Sequence, residues 1–209
     1  MLPTNPLHYY RIPMDKQKPH VYLTDEQFEK LKAHKFKNKS AQEVADVFIV
    51  YCRTGLHYKD LRHINEEYKK SKVEGLDGKD WIFWERVKTN VKAKVPFFKE
   101  VNDVIEKYGG WENLPIKSNQ KMNAYLKEVA DLCGITKNLT MHMARHTFAT
   151  TVTLTNGVPI ESVSKMLGHK NLRTTQHYAK VLDKKVSEDM KILRDKFSLT
   201  PVQQEQKIM

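Results

Sequence analysis

The spacing of apolar residues predicts a mainly helical chain with one short β-hairpin. Between residue 118 and Gly134, apolar residues recur three and four positions apart, as on one face of a helix: Met122, Tyr125, Leu126, Val129, Ala130 and Leu132. Residues 41–53 leave little polar face and predict a central helix. Two aromatic and β-branched runs, 81–87 and 91–98, predict the strands of a hairpin that turns at 88–90. The pattern therefore favours an α+β fold, mainly α with a small antiparallel β-hairpin or sheet.

Capping and breaking residues predict the remaining elements. Thr24–Gln27 and Ser40–Glu43 each fit a capping box, so helices are expected to open there. Residues 65–79 are polar and end in Gly and Asp, which predicts a solvated connector. Helices are also expected at 25–34, 100–107, 142–155, 160–167 and from 171 onward.

The chain divides into three predicted parts. Residues 1–20 are rich in Pro, Lys and Tyr without a sustained period, which predicts a linker or arm. Residues 21–180 carry the predicted helices and hairpin and are enough to bury one core. Residues 181–209 hold an amphipathic stripe that ends near Phe197, followed by a tail at 201–209 that we expect to be disordered.

The charge of the chain adds a partner to this picture. Its 209 residues carry a formal net charge of +11, with a pI near 9.5, which indicates a polyanion and first of all nucleic acid. The longest dense apolar run, Val47–Cys52, covers six residues, so no membrane partner is expected. The N-terminus lacks the pattern of a secretory signal, and Cys52 and Cys133 have no C-x-x-C spacing. We therefore expect a cytoplasmic protein with reduced thiols.

Candidate chemistry is concentrated between residues 139 and 178. His142, Arg145 and His146 stand three and four residues apart, so they share one face of a predicted helix. The sequence Leu167-Gly168-His169 follows, and Tyr178 comes nine residues after His169. Taken alone, His146 is expected to make a structural hydrogen bond and His177 to be exposed.

The ordered series H-x-x-R-H, L-G-H and Y resembles the active-site signature of the tyrosine recombinases, the phage-type integrases, and the resemblance covers roughly residues 20 to 180. It implies the catalytic-domain fold of that family and site-specific cleavage and rejoining of double-stranded DNA through a 3′-phosphotyrosyl intermediate, in mobile-element integration and excision. It further implies a homo-oligomer, a tetramer, on DNA. No cofactor, metal or small-molecule substrate is implied. The chain is then expected to begin in the linker ahead of the catalytic domain, and its C-terminal segment to dock on a neighbouring protomer.

The resemblance also implies a role for each matched residue. Tyr178 is the expected nucleophile, and Arg145 is expected to hold the phosphate by its guanidinium fork. His142 is the expected general base and His169 a donor to the phosphate. Lys88, near the tip of the predicted hairpin, matches the position of the general acid of the family.

One position departs from the pattern of the family. The stretch Thr54 to Leu61 resembles the element T-G-L-R-x-x-E-L, but His57 stands where the first catalytic arginine is expected. Strand alternation predicts that Arg86 and Lys88 lie side by side, so Arg86 is the candidate replacement and Arg53 its rival. The integrases of conjugative transposons include a branch that also lacks the usual first arginine, and the R-x-K-T pattern at 86–89 resembles theirs.

Other functions are also compatible with parts of the sequence. Residues 158–178 could form a helix-turn-helix that reads bases through Asn171, Arg173 and Thr174, which makes the protein a regulator. Because His57 replaces an arginine, a recombinase fragment that binds DNA but is inactive is a further alternative. His142 and His146 have the spacing of zinc ligands. Arg145 on the same face and the lack of H-E-x-x-H argue against zinc.

Overall fold

The computed structural model describes residues 21–179, 190, 191 and 193–197. The predicted linker at 1–20, the predicted tail and most of the predicted C-terminal stripe lie outside these residues. The described helices are α1 Asp25–Ala33, α2 Lys39–Thr54, α3 Tyr58–Ser71, α4 Lys99–Lys107, α5 Asn119–Leu132, α6 Met141–Thr147, α7 Ile160–Met166 and α8 Arg173–Ala179.

Helix α2 lies at the centre of the fold, as its apolar composition predicts. Most of its side chains are buried, and it packs against α1, α4, α5 and α6. The capping box predicted at Ser40 is wrong, because the side chain of Asn38 accepts the Ser40 N–H at 2.9 Å and α2 begins at Lys39. The capping box predicted for α1 is present between Thr24 and Gln27.

A three-stranded antiparallel sheet contains the predicted hairpin. Its strands are β1 Lys72–Glu74, β2 Asp80–Glu85 and β3 Lys92–Pro96, in the order β1-β2-β3, with Ile82 opposite Val95. The connector predicted at 65–79 is wrong, because α3 continues to Ser71 and β1 pairs with β2. Polar contacts hold this edge, including Lys72 to Asp80 at 2.8 Å and Trp81 Nε1 to Asp77 at 2.9 Å. An apolar pattern does not reveal such contacts.

The predicted helix at 142–155 is divided into three segments. Helix α6 continues into a π-helical stretch, Phe148–Thr153, and a 3₁₀ turn, Leu154–Asn156. Within this stretch the Thr153 hydroxyl donates to the carbonyl of Ala149 at 2.7 Å. The apolar core extends from this region through α2 and α5 to the inner face of the sheet. In the described part of the chain, no helix is long and apolar enough to cross a membrane.

Candidate active site

Helix α6 presents the first group of site residues. The Thr140 hydroxyl caps it by accepting the Met143 N–H at 3.2 Å, so the helix starts one residue before His142. Arg145 and His146 are buried, while His142 is exposed at the rim. The rings of His142 and His146 meet edge to face at 4.3 Å. The shared face predicted from their spacing is therefore present.

Arg145 links the ends of two other helices. Its Nη1 donates to the carbonyl of Gly55, just after α2, at 2.6 Å, and its Nη2 donates to the carbonyl of Leu167, just after α7, at 2.5 Å. Burial lowers the pKa of Arg145 to about 10, and the nearby Arg86 acts in the same direction. Arg145 therefore remains a cation at neutral pH, in a fixed orientation.

The loop after α7 places His169 beside Arg145. Its Nε2 lies 3.0 Å from Nη2 of Arg145, and its Nδ1 lies 2.7 Å from the hydroxyl oxygen of Thr175. Burial lowers the pKa of His169 to about 4, helped by the charges of Arg145 and Arg86. At neutral pH the imidazole is therefore uncharged.

Arg86 is held in a buried ion pair that sequence reasoning did not identify. Its Nε donates to Asp60 at 3.3 Å and its Nη1 to the carbonyl of Gly168 at 3.4 Å, while the other carboxylate oxygen of Asp60 accepts the Val87 N–H at 3.1 Å. Both side chains of the pair are nearly inaccessible, at 8% and 2% exposed. Asp60 stands at the position of the Glu in the family element T-G-L-R-x-x-E-L, and this match was the sequence feature that indicated a role for it.

Lys88 lies in the turn rather than on a strand. Strand β2 ends at Glu85, and residues 86–90 form the turn, with Asn90 at φ 52. The prediction that Arg86 and Lys88 lie side by side on one strand face is wrong, because the turn buries Arg86 and leaves Lys88 exposed. Both side chains nevertheless line the same cavity.

Tyr178 lies inside that cavity, on α8. It is 5% exposed, and its ring lies parallel to that of His169, with centroids 6.5 Å apart and planes 8° apart. His146 contacts it from another side at 5.3 Å. Burial raises the pKa of Tyr178, and Arg145 and Arg86 oppose that rise. His146, predicted only as a structural histidine, is therefore a neighbour of the candidate nucleophile.

One cavity of about 430 Å³ collects all six predicted site residues, namely Arg86, Lys88, His142, Arg145, His169 and Tyr178. His57, His146, Lys170 and His177 also line it, so the expectation of simple exposure for His177 is wrong. The described residues that line the cavity include arginines and lysines and no carboxylate, so the cavity is positively charged and suits an anion. A second hollow of about 350 Å³ shares His57, His142 and Arg145 with it.

His57 and Arg53 contribute no cation to the cavity at neutral pH. Burial lowers the pKa of His57, with Asp60 opposing and Arg145 adding to the effect. Arg53 lies elsewhere, 2.8 Å from Glu100 and with its guanidinium 4.2 Å from the centre of the Phe28 ring. Arg86 and Arg53 were the two predicted replacements for the missing arginine, and only Arg86 is among the described residues that line the cavity.

The histidines do not assemble into a metal site in the described part of the chain. No group of three or more His, Cys, Asp or Glu side chains is placed there to hold a metal ion. Arg145 lies beside His169 and lines the same cavity as His142 and His146.

Comparisons with known proteins agree on one family. The model of the phage integrase family matches residues 21–185. The tyrosine recombinase XerA of Thermococcus onnurineus is 52% identical over 56 residues, which are 27% of this chain and 19% of that protein. The matched segment thus spans about a fifth of the length of that relative.

Two solved structures share the fold. A XerA recombinase structure superposes with a TM-score of 0.59 at 22% identity and covers 83% of this chain and 65% of that one. The integrase of transposon Tn1549, solved in complex with circular intermediate DNA, gives a TM-score of 0.59 at 17% identity, covering 86% of this chain and 69% of that one. These likenesses confirm the predicted α+β catalytic-domain fold.

Proposed function

Because the chain belongs to the phage integrase family, we propose that it is a site-specific DNA recombinase that cleaves and rejoins strands through a 3′-phosphotyrosyl intermediate. The observation that carries this proposal is the shared cavity, which places the buried phenol of Tyr178 among Arg86, Lys88 and Arg145. A phosphodiester needs cations on its non-bridging oxygens before an anionic or phenolic nucleophile can approach.

The phosphate is bound first, by the two arginines. Arg145 is oriented by two backbone carbonyls, and Arg86 is oriented by Asp60 and the Gly168 carbonyl. Side chains fixed in this way lose little orientational freedom when the anion enters. Arg86 supplies the second permanent charge that the neutral His57 does not.

Tyr178 then attacks phosphorus. As the phenolic oxygen forms its bond to phosphorus, the bond from phosphorus to the 5′-oxygen breaks, and the strand stays joined to Tyr178 through its 3′-phosphate. His142 takes the phenolic proton as general base, and Lys88 gives a proton to the departing 5′-oxygen. Attack by a 5′-hydroxyl of a second strand reverses these transfers, so rejoining needs no outside energy source.

The proposed substrate is double-stranded DNA, and the proposed setting is a mobile element. The net charge of +11 supports a polyanionic partner. We propose the conjugative-transposon branch because the R-x-K-T pattern at 86–89 resembles its integrases, and the fold is similar to that of the Tn1549 transposon integrase. We also place the protein in the cytoplasm with its DNA.

The helix-turn-helix regulator receives less support from the site. In such a protein, α8 presents its outer face to bases. Here Thr175 and Tyr178 on α8 are buried, and Asn171 and Thr174 line the cavity. A regulator also gives no role to the buried ion pair of Arg86 and Asp60.

A suicide DNA substrate tests the proposed function. A nicked site loses a short strand after cleavage, so the covalent protein–DNA adduct accumulates and resists denaturation. We expect the adduct with the wild-type chain and with Tyr125→Phe, which changes a tyrosine of α5 outside the cavity. We expect none with Tyr178→Phe, although that variant still binds DNA. Binding by the wild-type chain without any adduct contradicts an active recombinase and supports a regulator or an inactive fragment.

A further inference from the structure

Thr175 contacts His169 in the candidate active site and has no role in the reaction proposed above. It is fully buried on α8, three residues before Tyr178, and so lies on the same side of the helix. Its hydroxyl oxygen lies 2.7 Å from Nδ1 of His169. The His169 ring thus has Thr175 at one nitrogen, Arg145 at the other and the ring of Tyr178 on its face.

The donors and acceptors around His169 determine where its proton lies. The guanidinium of Arg145 can only donate, so Nε2, 3.0 Å away, must supply a lone pair. A neutral imidazole has one N–H, which is then on Nδ1 and donates to the Thr175 hydroxyl. In the opposite tautomer, two N–H donors face each other across 3.0 Å, which is repulsive.

We propose that Thr175 is a positioning residue that holds the His169 ring, with Nδ1 protonated, so that Nε2 faces the cavity. When a phosphate enters, one of its oxygens takes the place of Arg145 as the partner of Nε2. Nε2 then takes a proton from solvent and donates it to that oxygen as a hydrogen bond. Throughout this change Nδ1–H keeps the same acceptor. The hydroxyl of Thr175 therefore suits both protonation states of His169.

The same contact couples His169 to the helix of the nucleophile. Thr175 and Tyr178 both contact His169 from α8, one through a hydrogen bond and one through parallel rings. A displacement of α8 therefore breaks the hydrogen bond and the ring contact together. The consequence for strand cleavage rests on the proposed function, whereas the tautomer of His169 can be measured without DNA.

Two variants separate the hydroxyl from the shape of the side chain. Thr175→Val keeps the size and removes the acceptor, and Thr175→Ser keeps the acceptor and removes a methyl group. Nitrogen NMR of the imidazole, recorded on the free protein at pH 7.5, reports which ring nitrogen carries the proton. We expect the Nδ1–H form in wild type and in Thr175→Ser. In Thr175→Val the Nδ1–H has no acceptor, so we expect the ring to turn away from Arg145 and to populate the Nε2–H form.

Adduct formation on the suicide substrate gives the second measurement. We expect Thr175→Val to slow it about tenfold or more, as for the loss of one hydrogen bond in the transition state, and Thr175→Ser to stay within about threefold of wild type. Thermal unfolding of both variants shows whether they are folded.

The outcomes distinguish a failure of the role proposed for Thr175 from a failure of the proposed function. A folded Thr175→Val protein with the wild-type tautomer and the wild-type rate overturns the role of Thr175 and leaves the recombinase intact. If Thr175→Ser loses as much rate as Thr175→Val, the hydroxyl is not the cause and the proposal is also overturned. If the wild-type chain forms no adduct, the proposed function fails, and the NMR spectra alone decide whether Thr175 orients His169.

Discussion

Arg86 and Arg145 reach the same cavity by different routes. Arg145 extends from a helix and is fixed by neutral carbonyls, while Arg86 extends from a turn and is fixed by the carboxylate of Asp60. The carboxylate of Asp60 offsets part of the charge of Arg86. It also gives the buried guanidinium an ionic partner, which compensates part of the free energy lost when that cation leaves water.

The first prediction concerns Arg86, the proposed replacement for the missing arginine. Arg86→Gln removes a permanent charge and is expected to slow adduct formation about 100-fold, the size typical of losing one donor to a transition-state anion. Arg53→Gln is the matched control, because Arg53 pairs with Glu100 outside the cavity. We expect that control to change the stability of the protein and not the rate of its folded fraction. A wild-type rate in Arg86→Gln shows that Arg86 is not the replacement.

The second prediction concerns pH and His169. Its folded-state pKa of about 4 lies below the unfolded value near 6.5, so the unfolded chain binds more protons between these values. The contribution of neutral His169 to the free energy of unfolding is therefore fully present above about pH 6.5 and is lost as the pH falls toward 4. Because the ring is only partly buried, we expect a loss of about 1 to 2 kcal/mol.

Denaturant unfolding of wild type and His169→Asn at pH 7 and pH 4.5 measures this loss. The asparagine variant has no group that titrates in this range at position 169. The free energy of unfolding of wild type should therefore fall more steeply than that of the variant. Equal falls of the free energy of unfolding in the two proteins contradict a neutral, partly buried His169.

Individual residues differ in how far the sequence revealed them. Helical spacing predicted that Arg145 and His142 share a face, whereas Tyr178 was predicted as the nucleophile only through the resemblance to the tyrosine recombinases. Asp60 and Thr175 were not assigned roles, because each acts through side-chain hydrogen bonds: Asp60 to Arg86 and Val87, distant in the chain, and Thr175 to His169, six residues away. Such pairs depend on tertiary contacts that apolar periodicity does not encode.

At the scale of elements, the loop after α7 forms a junction with the turn between β2 and β3. Gly168 has φ 61, and a Cβ at this position lies 2.4 Å from Cδ of Arg86. The absence of a side chain thus allows the turn between β2 and β3 to lie against this loop. The carbonyl of the same residue accepts from Arg86.

A pair of glycines tests this junction. Gly134 has nearly the same backbone angle, φ 64, with nothing within 4 Å of an added Cβ. Gly134→Ala is expected to cost about 1 to 2 kcal/mol of stability from backbone strain and to leave adduct formation unchanged. Gly168→Ala carries the same strain and also displaces Arg86, so it should lose adduct formation as well. Equal activity of the two folded variants contradicts the junction.

The elements themselves were predicted where burial is strong. The buried helix α2 and the alternating β2 and β3 follow directly from apolar and β-branched runs, and their existence was predicted correctly. Strand β1 has only three residues, of which Lys72 and Glu74 are charged, and the π-helical stretch after α6 contains side-chain hydrogen bonds such as that of Thr153. Neither leaves a signal in hydrophobic spacing.

At the scale of the whole molecule, the described C-terminal residues carry an unusual surface. Met190, Leu193 and Phe197 are 43%, 41% and 79% exposed and stand three and four residues apart. On a helix this spacing forms one apolar stripe. The stripe supports the proposal that the C-terminal segment docks on a neighbouring protomer in an assembly on DNA.

The assembly prediction follows from that stripe. Replacing Leu193 and Phe197 by Ser is expected to leave single chains bound to DNA and to reduce higher assemblies, because the apolar contact is removed. Sedimentation of protein–DNA complexes measures this, with Asp195→Asn as a control on the same segment. Unchanged assembly in the double variant contradicts docking through this stripe.

The most direct test of the account is to identify the residue that carries the DNA. After reaction with the suicide substrate, the adduct is digested with nuclease and trypsin, and the nucleotide-bearing peptide is sequenced by mass spectrometry. We predict the peptide Thr174–Lys180, with a 3′-linked nucleotide on the phenolic oxygen of Tyr178. A nucleotide on any other residue, or a 5′-linked nucleotide on Tyr178, contradicts it.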